Sequence, residues 1–293
     1  MRKSLLALLT LSLALLILAM PTGAITASQL GAQNFTSYGS SNTSGVLYGS
    51  ENSTGWNQIY YVKEIVYLKN ASFSYVPDNL GVDAIYIAIG LSPFTVSQVY
   101  NGVPEAIASS VLAGFIIYLY SDGQFGLAID TTPYASSVHF LTFPIQDLEL
   151  FLNLLNFENG TYEIYLEAFN TANNQIFLCY GGYFSWPYSN LNSYTALTFV
   201  EAPYDSAQGV LYSLPQISGG LIENFGFNYL YNGNVYSGPG TPVSGTSFYA
   251  DVLQGVTGTN VYITLVNGWG STGSWSYLYQ FYNTNNGQTT YGL

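Results

Sequence analysis

Tyr162-Glu163-Ile164-Tyr165-Leu166-Glu167-Ala168 alternates polar and apolar positions without a break. Side chains two apart on a strand share a face, so Glu163 and Glu167 fall on one side and Ile164 and Leu166 on the other. A half-buried strand fits this period and a helix does not. Runs rich in β-branched and aromatic residues recur on both sides of it, over 59–68, 71–76, 84–91, 111–120, 125–130, 175–180, 196–201 and 209–214. The series continues over 222–229, 247–253, 260–266 and 274–282. Between the runs lie Asp122-Gly123, Asn159-Gly160, Asn232-Gly233 and Asn286-Gly287, pairs suited to tight hairpin turns. The one patch with helical character, 104–112, is short enough to be a crossover. Short strands with frequent turns predict an all-β protein, a two-sheet antiparallel β-sandwich of the concanavalin or jelly-roll kind.

The N-terminus reads differently. Met1-Arg2-Lys3 precedes an apolar stretch from Leu5 to Ala19, and Met20-Pro21-Thr22-Gly23-Ala24 follows it. A basic start, an apolar run and a small-residue site describe a secretory signal peptide over 1–24. The competing reading is an uncleaved anchor helix, for which the run is somewhat short. Residues 25–57 are rich in Ser, Thr, Gly and Asn and read as a lead-in or propeptide-like stem. Residues 58–293 then form one sandwich domain. Glycosylation sequons stand at Asn34, Asn42, Asn52, Asn70 and Asn159. The expected setting is secreted, in contact with the cell surface or free of it.

With the signal removed, Lys63 and Lys69 face sixteen Asp and Glu, a net charge of −14. Nothing in such a chain neutralises phosphates, so no nucleic-acid partner is expected. Self-repulsion fades as carboxylates protonate near pH 4, which makes acid the comfortable condition. Cys179 is the single cysteine and forms no internal disulfide. Its apolar neighbours, Ile176-Phe177-Leu178, predict a buried, inert thiol. His139 is the single histidine and alternates with apolar residues, which favours a strand face over a catalytic triad and leaves no multi-histidine metal site. No metal and no cofactor are expected. The 28 Tyr stand out beside 17 Phe and 4 Trp. They serve either as strand formers that stay uncharged in acid or as the walls of a cleft that stacks on peptide or sugar.

Four stretches, in order, resemble the glutamic peptidases, or eqolisins, secreted acid endopeptidases with a two-sheet sandwich. They are Ala71-Ser72-Phe73-Ser74-Tyr75-Val76-Pro77, Ala84-Ile85-Tyr86-Ile87-Ala88-Ile89-Gly90, Asp122-Gly123-Gln124-Phe125 running through Asp130 to Pro133, and Ala196-Leu197-Thr198-Phe199-Val200-Glu201-Ala202-Pro203. The last is similar to the family stretch that ends in the catalytic glutamate. The resemblance therefore implies Glu201 as general base on a water, with the proton passed on to the leaving amine. Asp130 stands where the family has a further glutamate. The family's glutamine, which donates to the developing oxyanion, corresponds to Leu112 in Ser110-Val111-Leu112-Ala113-Gly114-Phe115. Loss of such a donor costs ~10²–10³ in rate. Gln98 and Gln124 are amides elsewhere in the same region.

Three functions follow as alternatives. The first is an acid endopeptidase acting on polypeptide, with Glu201 and Asp130 as the catalytic candidates. The second is a non-catalytic relative that binds peptide, glycan or cell-surface protein. The third is a structural subunit of a surface layer or filament, using exposed strand edges.

Overall fold

A computed structural model describes residues 43–51, 58–94, 99–100, 103–104, 110–157, 159–186, 191–205, 208, 210–231, 233–238, 247–253, 259–267 and 274–283. Among them the regular structure is strand, apart from one short 3-10 turn at Ile145–Asp147. In chain order the strands begin β1 (Thr43–Glu51), β2 (Gln58–Tyr67), β3 (Ser72–Ser74), β4 (Val82–Ser92) and β5 (Val99–Tyr100). Next come β6 (Val103–Pro104), β7 (Val111–Tyr120), β8 (Phe125–Thr131), β9 (His139–Phe140) and β10 (Leu148–Asn156). Then follow β11 (Tyr162–Asn170), β12 (Gln175–Phe184), β13 (Thr195–Glu201), β14 (Tyr204–Asp205) and β15 (Val210–Leu211). The last are β16 (Gln216–Tyr231), β17 (Asn234–Gly238), β18 (Ser247–Leu253), β19 (Thr259–Asn267) and β20 (Ser274–Asn283).

Two large antiparallel sheets result, beside two two-stranded ribbons, β5-β6 and β14-β15. A seven-stranded sheet runs β18-β1-β13-β4-β7-β8-β9, and a nine-stranded sheet runs β12-β11-β10-β2-β16-β20-β19 with β17 and β3 also on β16. Their inner faces meet in one apolar core that joins Ile85, Ile87 and Ile89 of β4 to Val62 of β2 and Leu150 and Leu152 of β10. The fold is thus an all-β, two-sheet antiparallel sandwich. Among the described residues no helix is long and apolar enough to cross a membrane.

The alternation that decided the fold holds on β11: Tyr162, Ile164, Leu166 and Ala168 are buried while Tyr165 is exposed. Gly123, Gly160 and Gly233 take positive φ, of 86°, 95° and 75°, as three of the four turn pairs require; Asn286-Gly287 lies outside the described residues. The helical patch is not helix where it is described, since Val103–Pro104 and Val111–Tyr120 are strands. Inside the segment read as a stem, β1 joins the seven-stranded sheet between β13 and β18. Val46-Leu47-Tyr48 supplies the strand formers there despite the Ser- and Gly-rich surroundings.

Strand β4 is buried along nearly its whole length, with no alternation. Its odd-numbered isoleucines face the core between the sheets, while Ala84, Tyr86 and Ala88 form a second, smaller cluster with Ile116 and Leu197 on the sheet's outer face. Tyr212, in the chain following β13, packs against that cluster. The outer face of the seven-stranded sheet is therefore partly roofed, and this sets up the candidate site.

Candidate functional site

The roofed face holds a groove of about 540 Å³. Tyr86, Leu112 and Ile116 contribute from β4 and β7, Asp130 from β8, and Pro203 and Tyr212 from the covering chain. Tyr118 and Tyr212 meet edge to face, with ring centroids 5.7 Å apart. Burial first, and then the neighbouring Tyr212, Tyr120, Asp130 and Asp205, push Tyr118 up to about 12, so its phenol keeps its proton.

Asp130, one of the two catalytic candidates, lines this groove. Burial raises its carboxyl above the ordinary aspartate value. The Tyr86 hydroxyl crosses β7 and donates to the Asp130 backbone carbonyl at 3.0 Å. Gly114 stands opposite Asp130 in the β7–β8 ladder, directly beneath the Tyr86 ring. A methyl group at Gly114 would meet the Ile87 carbonyl, and would sit 2.8 Å from the ring. Only glycine lets the phenol lie this flat.

Glu201 is the last residue of β13 and pairs with Tyr86 in the β13–β4 ladder; its side chain lies outside the described residues. Two residues later Pro203 lines the groove, and Asp205 follows. The register also separates the candidates. From Glu201 the ladder runs through Tyr86 to Ile116 and Ala128, so Asp130 is three strands away. At about 4.8 Å per strand the two backbones stand roughly 14 Å apart across the sheet. The two positions are therefore not neighbours in the sheet. Leu112 pairs with Gly90, and Gly90 with Leu197, four residues before Glu201 and thus ~13 Å along the strand. The glutamine position and the glutamate position are likewise not neighbours. Leu112 lines the groove as an aliphatic side chain and is fixed by its amide, which donates to Thr132 Oγ1 at 2.8 Å.

Of the two other amides of that region, Gln124 does not line the groove. Gln124 lies beside a separate cleft of about 350 Å³ with Phe73, Phe125 and Phe143, and Gln98 lies outside the described residues. His139 sits exposed on β9. Cys179 corrects an expectation, because it is exposed and not buried. It lies on β12, the edge of the nine-stranded sheet, opposite Glu167. Its position in the alternation matches the outward carboxylate, and the apolar letters around it concealed that phase. Of the sequon residues, Asn70 and Asn159 are exposed beside turns, while Asn34, Asn42 and Asn52 lie outside the described residues.

One cluster escaped the sequence reading altogether. Glu64 on β2 and Glu223 on β16 are 1% and 0% exposed, and the Thr198 hydroxyl of the opposite sheet lies 2.6 Å from Glu64 Oε1 and 3.2 Å from Glu223 Oε2. The signal was present, since Val62-x-Glu64-x-Val66 and Leu221-x-Glu223-x-Phe225 put each glutamate in the apolar phase of its strand.

Fold and groove together define the class of molecule: an antiparallel sandwich with a tyrosine-walled groove, bearing a carboxyl, on one outer face. No known protein family matches the chain, and no curated protein sequence does. Among solved structures it is similar to Scytalido-glutamic peptidase with a peptide-based transition state analog, at 14% identity over 82% of this chain and 98% of that one, with a TM-score of 0.46. It is similar, with the same identity, coverage and TM-score, to SCP-B, a member of the Eqolisin family of peptidases in complex with the tripeptide Ala-Ile-His.

Proposed function

We propose that this protein is a secreted, acid-acting, glutamic-peptidase-like endopeptidase that lays extended polypeptide along the groove of the seven-stranded sheet. In this reading Glu201 is the general base: it takes a proton from a water as that water attacks the scissile carbonyl, then delivers the proton to the departing amine. Asp130, kept neutral in acid by its burial, offers a hydroxyl donor to the substrate backbone. Phenols of the groove supply the further donors that a carboxamide would otherwise provide. The observation that carries the reading is positional. Glu201 pairs with the groove residue Tyr86, and the chain passes from it within two residues into the groove wall at Pro203.

The direct test is incubation of the full chain with denatured casein between about pH 2 and pH 4, the range in which carboxyls titrate. Peptide fragments are expected, with cleavage fading towards neutrality. Casein intact throughout that range would overturn the enzymatic reading. A second reading, a groove that binds peptide or glycan without cutting it, is favoured by one observation: the glutamine position of the sequence resemblance is Leu112, a hydrocarbon side chain in the groove lining. Saturable binding without fragments is its signature.

A further inference from the structure

We propose that Glu64, Glu223 and Thr198 form an acid-held clasp between the two sheets, one that keeps the sandwich closed in acid and lets it open towards neutral pH. The inference stands apart from the groove and holds whether or not the groove cleaves anything.

The geometry is that of a shared-proton site. Both carboxyls come from the nine-stranded sheet, and the hydroxyl between them comes from β13 of the seven-stranded sheet. Thr198 has one proton to give. It cannot be given in full to Glu64 Oε1 at 2.6 Å and to Glu223 Oε2 at 3.2 Å at once, so both contacts are satisfied together only when one of the two carboxyls is protonated and donates to the hydroxyl oxygen. The Glu223 charge also acts on Glu64 and raises it, so the two buried carboxyls oppose each other as a dianion and one proton relieves them. One proton on the pair satisfies both Thr198 contacts, and a dianion does not.

Among the described residues the core face around the pair is apolar. On the core face around the pair stand Val62 and Val66 of β2, Leu152 of β10, Phe225 of β16, Val200 of β13 and Ile89 of β4. Tyr277 of β20 holds the ladder position opposite Glu223. Lys63 is adjacent in sequence, but it belongs to the alternate phase of β2 and pairs with Asn153 on the outer face. Burial lowers the Lys63 ammonium as well. The chain's one histidine is on exposed β9. Burial therefore raises Glu64 well above the ordinary glutamate value, the Glu223 charge raises it further, and the Thr198 hydrogen bond only partly offsets this. The folded protein holds protons that the unfolded chain has released. The stabilisation is complete below the ordinary glutamate value near pH 4 and is lost as the pH climbs through the raised one. Each proton so held makes the unfolding equilibrium constant rise up to about tenfold per pH unit across that window.

The test is thermal unfolding of the full chain from about pH 3 to pH 8, for the wild type, the double variant Glu64→Gln/Glu223→Gln, and Asp83→Asn. Asp83 is the control, because it is a second buried carboxyl, pushed up to about 7 by its own burial in spite of a hydrogen bond from the Val76 amide. The wild-type midpoint is expected to fall steadily as the pH rises. The double variant should lose at least half of that fall, and Asp83→Asn should lose less than the double variant does. If the double variant does not fold, the infrared carbonyl band of protonated carboxyl in the wild type at about pH 6 decides, with Glu223→Gln expected to diminish it. A fall that is undiminished in the double variant, or no protonated-carboxyl band at that pH, overturns the clasp.

Discussion

Replacing Glu201 by glutamine is expected to reduce acid cleavage of denatured casein by roughly 10²–10⁴-fold while leaving the thermal midpoint within about 1 °C of wild type. Glutamine keeps the shape and hydrogen-bonding capacity of the side chain but accepts no proton from water. The substitution therefore removes general-base chemistry and little else. Stability is expected to hold because the ladder partner of Glu201, Tyr86, takes its order from elsewhere: its ring rests over Gly114 and its hydroxyl is tied to the Asp130 carbonyl. Activity of Glu201→Gln equal to wild type would assign the proton transfer to another group. Asp130→Asn is the informative companion. Three strands from Glu201, Asp130 acts on substrate binding in this account, so its loss should raise KM more than it lowers kcat.

The second large effect is expected at Gly114. Gly114→Val would drive a β-branched side chain into the Ile87 carbonyl, to within 2.7 Å of the Ala88 Cβ and into the Tyr86 ring. Two of those obstacles belong to the adjacent strand's backbone or to its short Cβ, and neither swings aside as a flexible side chain does. Overpacking of this kind costs about 1–3 kcal/mol and sometimes more. For a chain of this size that is a midpoint lower by up to about 10 °C. Peptide binding should be lost along with it, because Tyr86 can no longer span β7 to reach β8. A Gly114→Val variant that unfolds at the wild-type temperature and still binds would mean that the groove floor is not built on that ring.

The strands that could be read from the sequence were those whose two faces differ. Tyr162–Asn170 carries its carboxylates outward and its aliphatics inward, and Val111–Tyr120 was bounded by clear turn residues. Leu148–Asn156 is not legible as a strand although its leucines alternate inward, because Phe151 and Leu155 on the other face blur the period into a plain apolar run. β1 was hidden by composition, its Ser and Gly outweighing three strand formers. The site was legible in the same uneven way. Asp130 lines the groove and the backbone of Glu201 pairs with the groove residue Tyr86, but the separation of the two positions depends on sheet order, which a linear sequence does not display. The buried Glu64 and Glu223 pair was concealed because a glutamate in an apolar phase is easily taken for surface charge. Only the meeting of β2, β16 and β13 reveals that the two carboxyls share one threonine hydroxyl.

The central claim is that extended polypeptide binds across the outer face of the seven-stranded sheet. Its most direct measurement is amide chemical-shift mapping of isotope-labelled Glu201→Gln protein, titrated with a denatured casein peptide at about pH 3. The account predicts perturbations that saturate at Tyr86, Tyr118, Asp130 and Tyr212. Perturbations confined to the outer face of the nine-stranded sheet, around Tyr165 and Tyr183, would contradict it.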